Sequence, residues 1–246
     1  MRRNKCSYVI MCLLTMALVW GCAPGQESFK MGQELSNQNR REEAILFYER
    51  ALQENPDREE FRIALKKAKQ ESAKARFAKA REIIESNPDP NVPTLDRILK
   101  ELERARQFDP ENKEVSTTYT DLSGKRKNLL SKIKILYKKA DTDMRKQEWF
   151  EAIVKLKLIN VFYPGYEDAG DKFALAKKEG TNFYYNQGVA HAKKEEWPKA
   201  VQAFKLAVNI DPKYKDIQAL YKEAKVNDNP QTYLNRGEEA AGDGNY

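Results

Sequence analysis

Three cysteines, one histidine and three tryptophans are the residues whose types could do specialised chemistry in this chain. A nucleophilic thiol needs a base beside it, and a zinc site needs three or four Cys, His or carboxylate ligands at close spacing. A phosphate cradle needs a glycine-rich loop opening a helix. Cys6, Cys12 and Cys22 all fall within the first 22 residues, so the chain beyond them has no thiol for disulfides, zinc or catalysis. His191 stands alone within a helical pattern, where it packs rather than reacts. The carboxylates alternate with Lys and Arg along helix faces, as solvated surfaces do. No catalytic residue, metal site, cofactor or small-molecule substrate is therefore expected. Trp149 and Trp197 each precede a helix-like run and are expected to pack the corner where two helices meet.

The elements that position these residues follow from composition. The chain is 41% hydrophobic and 33% charged over 246 residues, enough to bury a core. Its 11 Gly and 10 Pro are few, and Ala, Lys, Glu, Leu and Gln favour helix. No stretch alternates apolar and polar residues as a strand would. The fold class expected is all-α.

The N-terminus reads differently from the rest. Arg2, Arg3 and Lys5 precede an apolar run from Tyr8 to Trp20, and Gly21–Cys22 follow. This order describes a secretory signal, and the run is short of the ~20 residues that span a bilayer. The junction resembles a bacterial lipobox, with Val19, Gly21 and Cys22 in its places and Trp20 where a small residue is usual. The resemblance implies a signal peptide over 1–21, an acyl chain such as palmitate on Cys22 as the membrane anchor, and a short tether over 22–28. Ala23 after the cysteine implies sorting to the outer membrane, facing the periplasm. Loss of Arg2, Arg3 and Lys5 takes the net charge from +7 to +4, too mild to single out nucleic acid as a partner.

Beyond the tether the sequence repeats itself. Around Ala200 stand Gly188 at −12, Phe204 at +4, Ala207 at +7 and Pro212 at +12. Around Ala152 stand Ala140, Leu156, Ile159 and Pro164, and around Ala44 stand Gly32, Tyr48, Ala51 and Pro56, at the same offsets. This pattern resembles the tetratricopeptide repeat, a helix–turn–helix unit of about 34 residues. The resemblance implies a solenoid of antiparallel helix pairs over 29–246, with units near 25–58, 73–112, 133–166 and 181–214 and a half unit over 230–246. Gly32 to Ala80 and Ala140 to Gly188 are each 48 residues apart. The excess over 34 is close to four helical turns, so lengthened or additional linking helices are expected. One runs over 57–85, and another from Lys113 breaks at Ser123–Gly124. Residues 86–94 form a stiff exposed loop with three prolines. The repeat prolines are expected to open the next helix, with Asn55, Asp109 and Asp211 as N-caps.

Three residues before the small residue of each first helix stand Phe29, Phe77, Tyr137 and Tyr185. In the repeat family this position faces a groove. With Lys134, Lys138, Arg145, Asn182, Asn186 and Val189 nearby, the groove is expected to take a protein or peptide of some acidic character. The function expected is a non-enzymatic, lipid-anchored scaffold for envelope assembly, serving outer-membrane proteins, a pilus or a secretion machine. The alternative is the recognition arm of a larger envelope enzyme or pore. Tyr246 falls at the turn position held by Trp149 and Trp197, which favours a longer protein.

Overall fold

A computed structural model describes residues 24–242, and every regular element among them is helical. In chain order these are α1 (Gln26–Asn37), α2 (Arg41–Glu54), α3 (Glu59–Ser86), α4 (Val92–Phe108) and α5 (Lys113–Arg145). They are followed by α6 (Trp149–Phe162), α7 (Ala169–Lys193), α8 (Trp197–Ile210), α9 (Ile217–Asn227) and α10 (Pro230–Gly242). α1 packs on α2 and α2 on α3, and further along α6 packs on α7, α7 on α8 and α8 on α9, as the antiparallel pairs of a solenoid do. Residues 1–21, where a signal peptide is expected, lie outside the described residues, as do Cys22 and Tyr246.

The described chain divides into two compact units: residues through Pro90 with Thr94–Gly124, and Asn91–Pro93 with Lys125 onward. In the first, Phe29, Leu35, Ala44, Ile45, Tyr48, Ala51, Phe61 and Ala68 form the core. Gly32 lets α1 approach α2 so closely that an added Cβ would lie 2.6 Å from the Tyr48 ring. Arg76 on α3 reaches Glu42 on α2 at 2.5 Å and Glu101 on α4 at 2.8 Å. These hydrogen bonds raise the guanidinium above its ordinary value. Burial alone would push the Glu101 carboxyl up, but the bonds from Arg76 and Lys79 bring it below the usual range.

In the second unit, Ile133, Ala140, Ala152, Leu156, Ile159, Ala200, Phe204, Ala207 and Ile217 are core residues, each at most 1% exposed. Gly188 meets Phe204 as Gly32 meets Tyr48, with an added Cβ 2.4 Å from the ring. Gly32 and Gly188, with their ring partners Tyr48 and Phe204, therefore sit at the helix crossings the repeat predicts.

Two kinds of turn recur. Between paired helices the chain closes with a backbone bond from a residue to the carbonyl five positions earlier. These bonds are Arg40 to Leu35 (2.9 Å), Glu148 to Asp143 (2.9 Å) and Glu196 to His191 (3.0 Å). Each closure places one residue in the left-handed region: Asn39 (φ 63), Gln147 (φ 63) and Glu195 (φ 58). Between repeats, Arg58, Asn112, Tyr166 and Tyr214 donate to the carbonyls of Asn55, Asp109, Tyr163 and Asp211. Pro56, Pro110, Pro164 and Pro212 are thus the second residues of four-residue turns, where a fixed φ suits a proline.

This corrects the expectation that the prolines open the next helix. The helices begin three to five residues later, at Glu59, Lys113, Ala169 and Ile217. Asn55 and Asp211 terminate α2 and α8 and do not cap the next helix. Asn112 does cap, accepting from the Val115 amide at 3.2 Å.

The linking segments use both expected solutions. α3 spans 28 residues, α5 33 and α7 25, each a lengthened helix, whereas α9 stops at Asn227 and Pro230 opens a separate α10. The break expected at Ser123–Gly124 does not occur. One glycine costs a helix interior only about 1 kcal/mol, a small share of what 33 residues of helix supply. The loop between α3 and α4 is shorter than expected, and Val92 is fully buried in the second unit's core.

Candidate functional site

The predicted groove residues do different jobs. Phe29 is 2% exposed, stacked on Phe61 at 4.5 Å and tilted against Tyr48 at 5.6 Å, so it belongs to the core and cannot meet a partner. Phe77, also in the first unit, is half-buried with Arg81 beside its ring at 5.9 Å.

Tyr137 and Tyr185, 48 residues apart in the second unit, make the same construction twice. The Tyr137 hydroxyl donates to Asp168 Oδ1, and the Tyr185 hydroxyl donates to Asp216 Oδ1 at 2.8 Å. Asp168 and Asp216 stand just before α7 and α9. Each ring also meets a second tyrosine edge-on, Tyr137 with Tyr166 at 5.6 Å and Tyr185 with Tyr214 at 5.4 Å. A lysine covers each ring, Lys172 at 4.4 Å from the Tyr137 centroid and Lys215 at 4.6 Å from that of Tyr185. The ring on α5 thus latches the start of α7, and the ring on α7 the start of α9.

The electrostatics follow the geometry. The bond to Asp168 raises the Tyr137 phenol and holds the Asp168 carboxyl below the usual carboxylate range. The bond to Asp216 raises Tyr185. Lys172 reaches Tyr137 Oη at 2.9 Å and Asp141 at 3.1 Å, which raises the ammonium and lowers the Asp141 carboxyl. Arg145 is held by the same Asp141 at 2.6 Å, while Lys134 and Lys138 are exposed on α5. Val189 is half-buried against the core of the second unit.

Of the residues expected to line a groove, Asn182 and Asn186 are the two that join in this concave surface. They line a cleft of about 490 Å³ with Gln147, Trp149, Glu179, Phe183, Gln187 and Ala190. The cleft runs along one face of α7, with the turn ahead of α6 as its wall. Asn186 Nδ2 donates to Asn182 Oδ1 at 3.2 Å, and Tyr214 Oη donates to the same oxygen at 3.1 Å. The indole N–H of Trp149 is buried and has no hydrogen-bond partner within the described residues. Neutral amides dominate, with one carboxylate, so nothing in the lining selects an acidic ligand. Sequence reasoning placed Trp149 as corner packing and missed Gln147, Phe183 and Gln187. For Phe183 and Gln187, lying one position beyond Asn182 and Asn186 on the same helix, that helical spacing was the signal available.

His191 Nδ1 pairs with Glu196 at 2.5 Å and fastens the turn between α7 and α8. With Lys199 on its other side, Glu196 is held below the usual carboxylate range, chiefly by the His191 bond. Among the described residues no group of three or more His, Cys, Asp or Glu is placed to hold a metal ion. None of the described helices is long and apolar enough to cross a membrane.

A search of curated proteins finds no match to this chain. Residues 28–58, the α1–α2 pair and the turn after it, match the family model of the tetratricopeptide repeat, and the described chain has the all-helical architecture of a tetratricopeptide-like solenoid.

Proposed function

We propose that this chain is a non-catalytic scaffold that holds a protein partner in the cleft along α7, anchored to an envelope membrane through lipid on Cys22. The repeat architecture supports the general role in protein–protein interaction. The cleft carries the particular reading. Asn182, Asn186, Gln147 and Gln187 offer paired donors and acceptors beside the apolar faces of Trp149 and Phe183. Such a lining suits a polypeptide backbone, which presents one donor and one acceptor per residue. Support for the anchor is confined to the order of residues 2–22.

One experiment addresses both parts. Wild type, Cys22→Ser and Asn186→Arg/Gln187→Arg are expressed with a fatty-acid analogue, and membranes are cross-linked before capture. Wild type is expected to take up label and retain a defined protein partner. Cys22→Ser loses the label, and the cleft variant keeps the label but loses at least ~90% of the partner, with unchanged helicity. Equal labelling of wild type and Cys22→Ser overturns the anchor. Equal capture by the cleft variant overturns the cleft.

A further inference from the structure

One stretch of α5 holds the whole of the chain's excess positive charge. The sequence has 44 Lys and Arg against 37 Asp and Glu, a surplus of seven. Between Asp121 and Asp141 stand six lysines and Arg126, with no carboxylate, so the rest of the chain is balanced. Arg126 is half-buried, but all six lysines are exposed. Among the described residues none of the six has a carboxylate partner. The acids that follow on the helix are engaged elsewhere, Asp141 with Arg145 and Lys172, and Asp143 with Lys155. At about 100° per residue the lysines fall into two rows. Lys125, Lys132 and Lys139 form one row, and Lys127, Lys134 and Lys138 the other. Ile133 and Ala140 point the opposite way, into the core of the second unit. The outer strip between the rows carries Asn128, Ser131 and Ile135, and the Ile135 side chain is 55% exposed.

We infer that this face of α5 lies against a bilayer surface rich in anionic phospholipid headgroups. A helix bearing a cluster of lysines suits such a surface, because each cation near it adds to the attraction. Two rows flanking a neutral strip can both reach a plane, with the long lysine stems extending to the headgroups. Ile135 between them then meets the boundary of headgroups and acyl chains. Other polyanions fit less well. A partner helix would find no apolar seam in Asn128 and Ser131, and lysine is depleted at protein interfaces. Nucleic-acid recognition draws on the guanidinium fork and on stacked aromatic rings. Here Arg126 is half-buried, Arg145 is held by Asp141, and the Tyr137 ring is covered by Lys172. Lysine is a hydrated point charge on a flexible stem, which needs no fixed partner geometry and suits mobile headgroups.

The membrane setting rests on the Cys22 reading, so the test removes that lipid and stands apart from it. The full chain carrying Cys22→Ser is sedimented with vesicles of phosphatidylcholine, alone or mixed with phosphatidylglycerol. Any binding by the apolar run over 8–20 appears with phosphatidylcholine alone as well. The mixed vesicles are expected to bind at least ~10-fold more tightly, and high salt should abolish the difference. Lys125→Gln/Lys132→Gln/Lys139→Gln and Lys127→Gln/Lys134→Gln/Lys138→Gln should each reduce it at least ~5-fold, with unchanged helicity and melting. Replacing all six lysines by arginine should preserve it. Failure here would leave fatty-acid labelling of Cys22 and capture by the cleft as they are, and absence of that label would leave vesicle binding measurable. Equal binding to the two kinds of vesicle, a difference insensitive to either triple variant, its loss on replacement by arginine, or tighter lysine-dependent binding to duplex DNA or to polyglutamate would each overturn the inference.

Discussion

Tyr137 and Tyr185 show how far residue types carry. Their alignment three positions before a small residue was visible in the sequence, and it placed them in a groove. Their work as latches depends on Asp168, Asp216, Tyr166 and Tyr214, which lie 29 or 31 residues further on and share no local pattern with them. Phe29 escaped for a related reason: its partner Phe61 comes from α3, so burial was decided by a contact that periodicity does not encode. Tyr137→Phe and Tyr185→Phe should each cost about 0.5–1 kcal/mol, since these are exposed hydrogen bonds to charged groups. The pH dependence comes from the directions of the shifts. Asp168 and Asp141 are lowered on folding, so their contribution is present above about pH 4 and is lost as pH falls below it. Tyr137 and Tyr185 are raised, so theirs is present below about pH 10 and is lost as pH climbs past it. Urea titrations across pH should show the double Phe variant with a flatter alkaline limb than wild type.

Among the helices, the most legible features were those with local causes. Gly32, Ala44, Ala152, Gly188 and Ala200 announced helix crossings because only small residues fit there. The long α3 was legible because no breaker interrupts it. The misreading at Ser123–Gly124 came from treating a weak helix former as a stop, when a stop needs a cap, a turn or a proline. The two kinds of glycine make opposite predictions. At Gly124 an added Cβ meets nothing within 4 Å, so Gly124→Ala should stabilise by about 0.5–1 kcal/mol through backbone entropy. At Gly188 the Cβ would strike the Phe204 ring, so Gly188→Ala should destabilise by about 1–3 kcal/mol despite better helix propensity. Paired chemical denaturation curves check both, and equal effects at the two positions would contradict the packing described.

For the whole molecule, two compact units and neighbour-to-neighbour packing imply that damage stays local. Ala200 is fully buried, and Ala200→Arg forces a long charge into a close crossing, a loss of more than ~4 kcal/mol. Hydrogen exchange should then show lost protection across α6–α9, with α1–α3 retaining theirs. Loss of protection along the entire chain would show a single cooperative unit instead. The 48-residue register has a meaning for the gene as well. The latch at Tyr137, its turn at Pro164 and the left-handed Gln147 each recur 48 positions later, at Tyr185, Pro212 and Glu195. A tandem duplication of the stretch of gene encoding one such register would present each new helix with a neighbour it already fits. The array can therefore lengthen by one recombination event, with no adaptation at either joint.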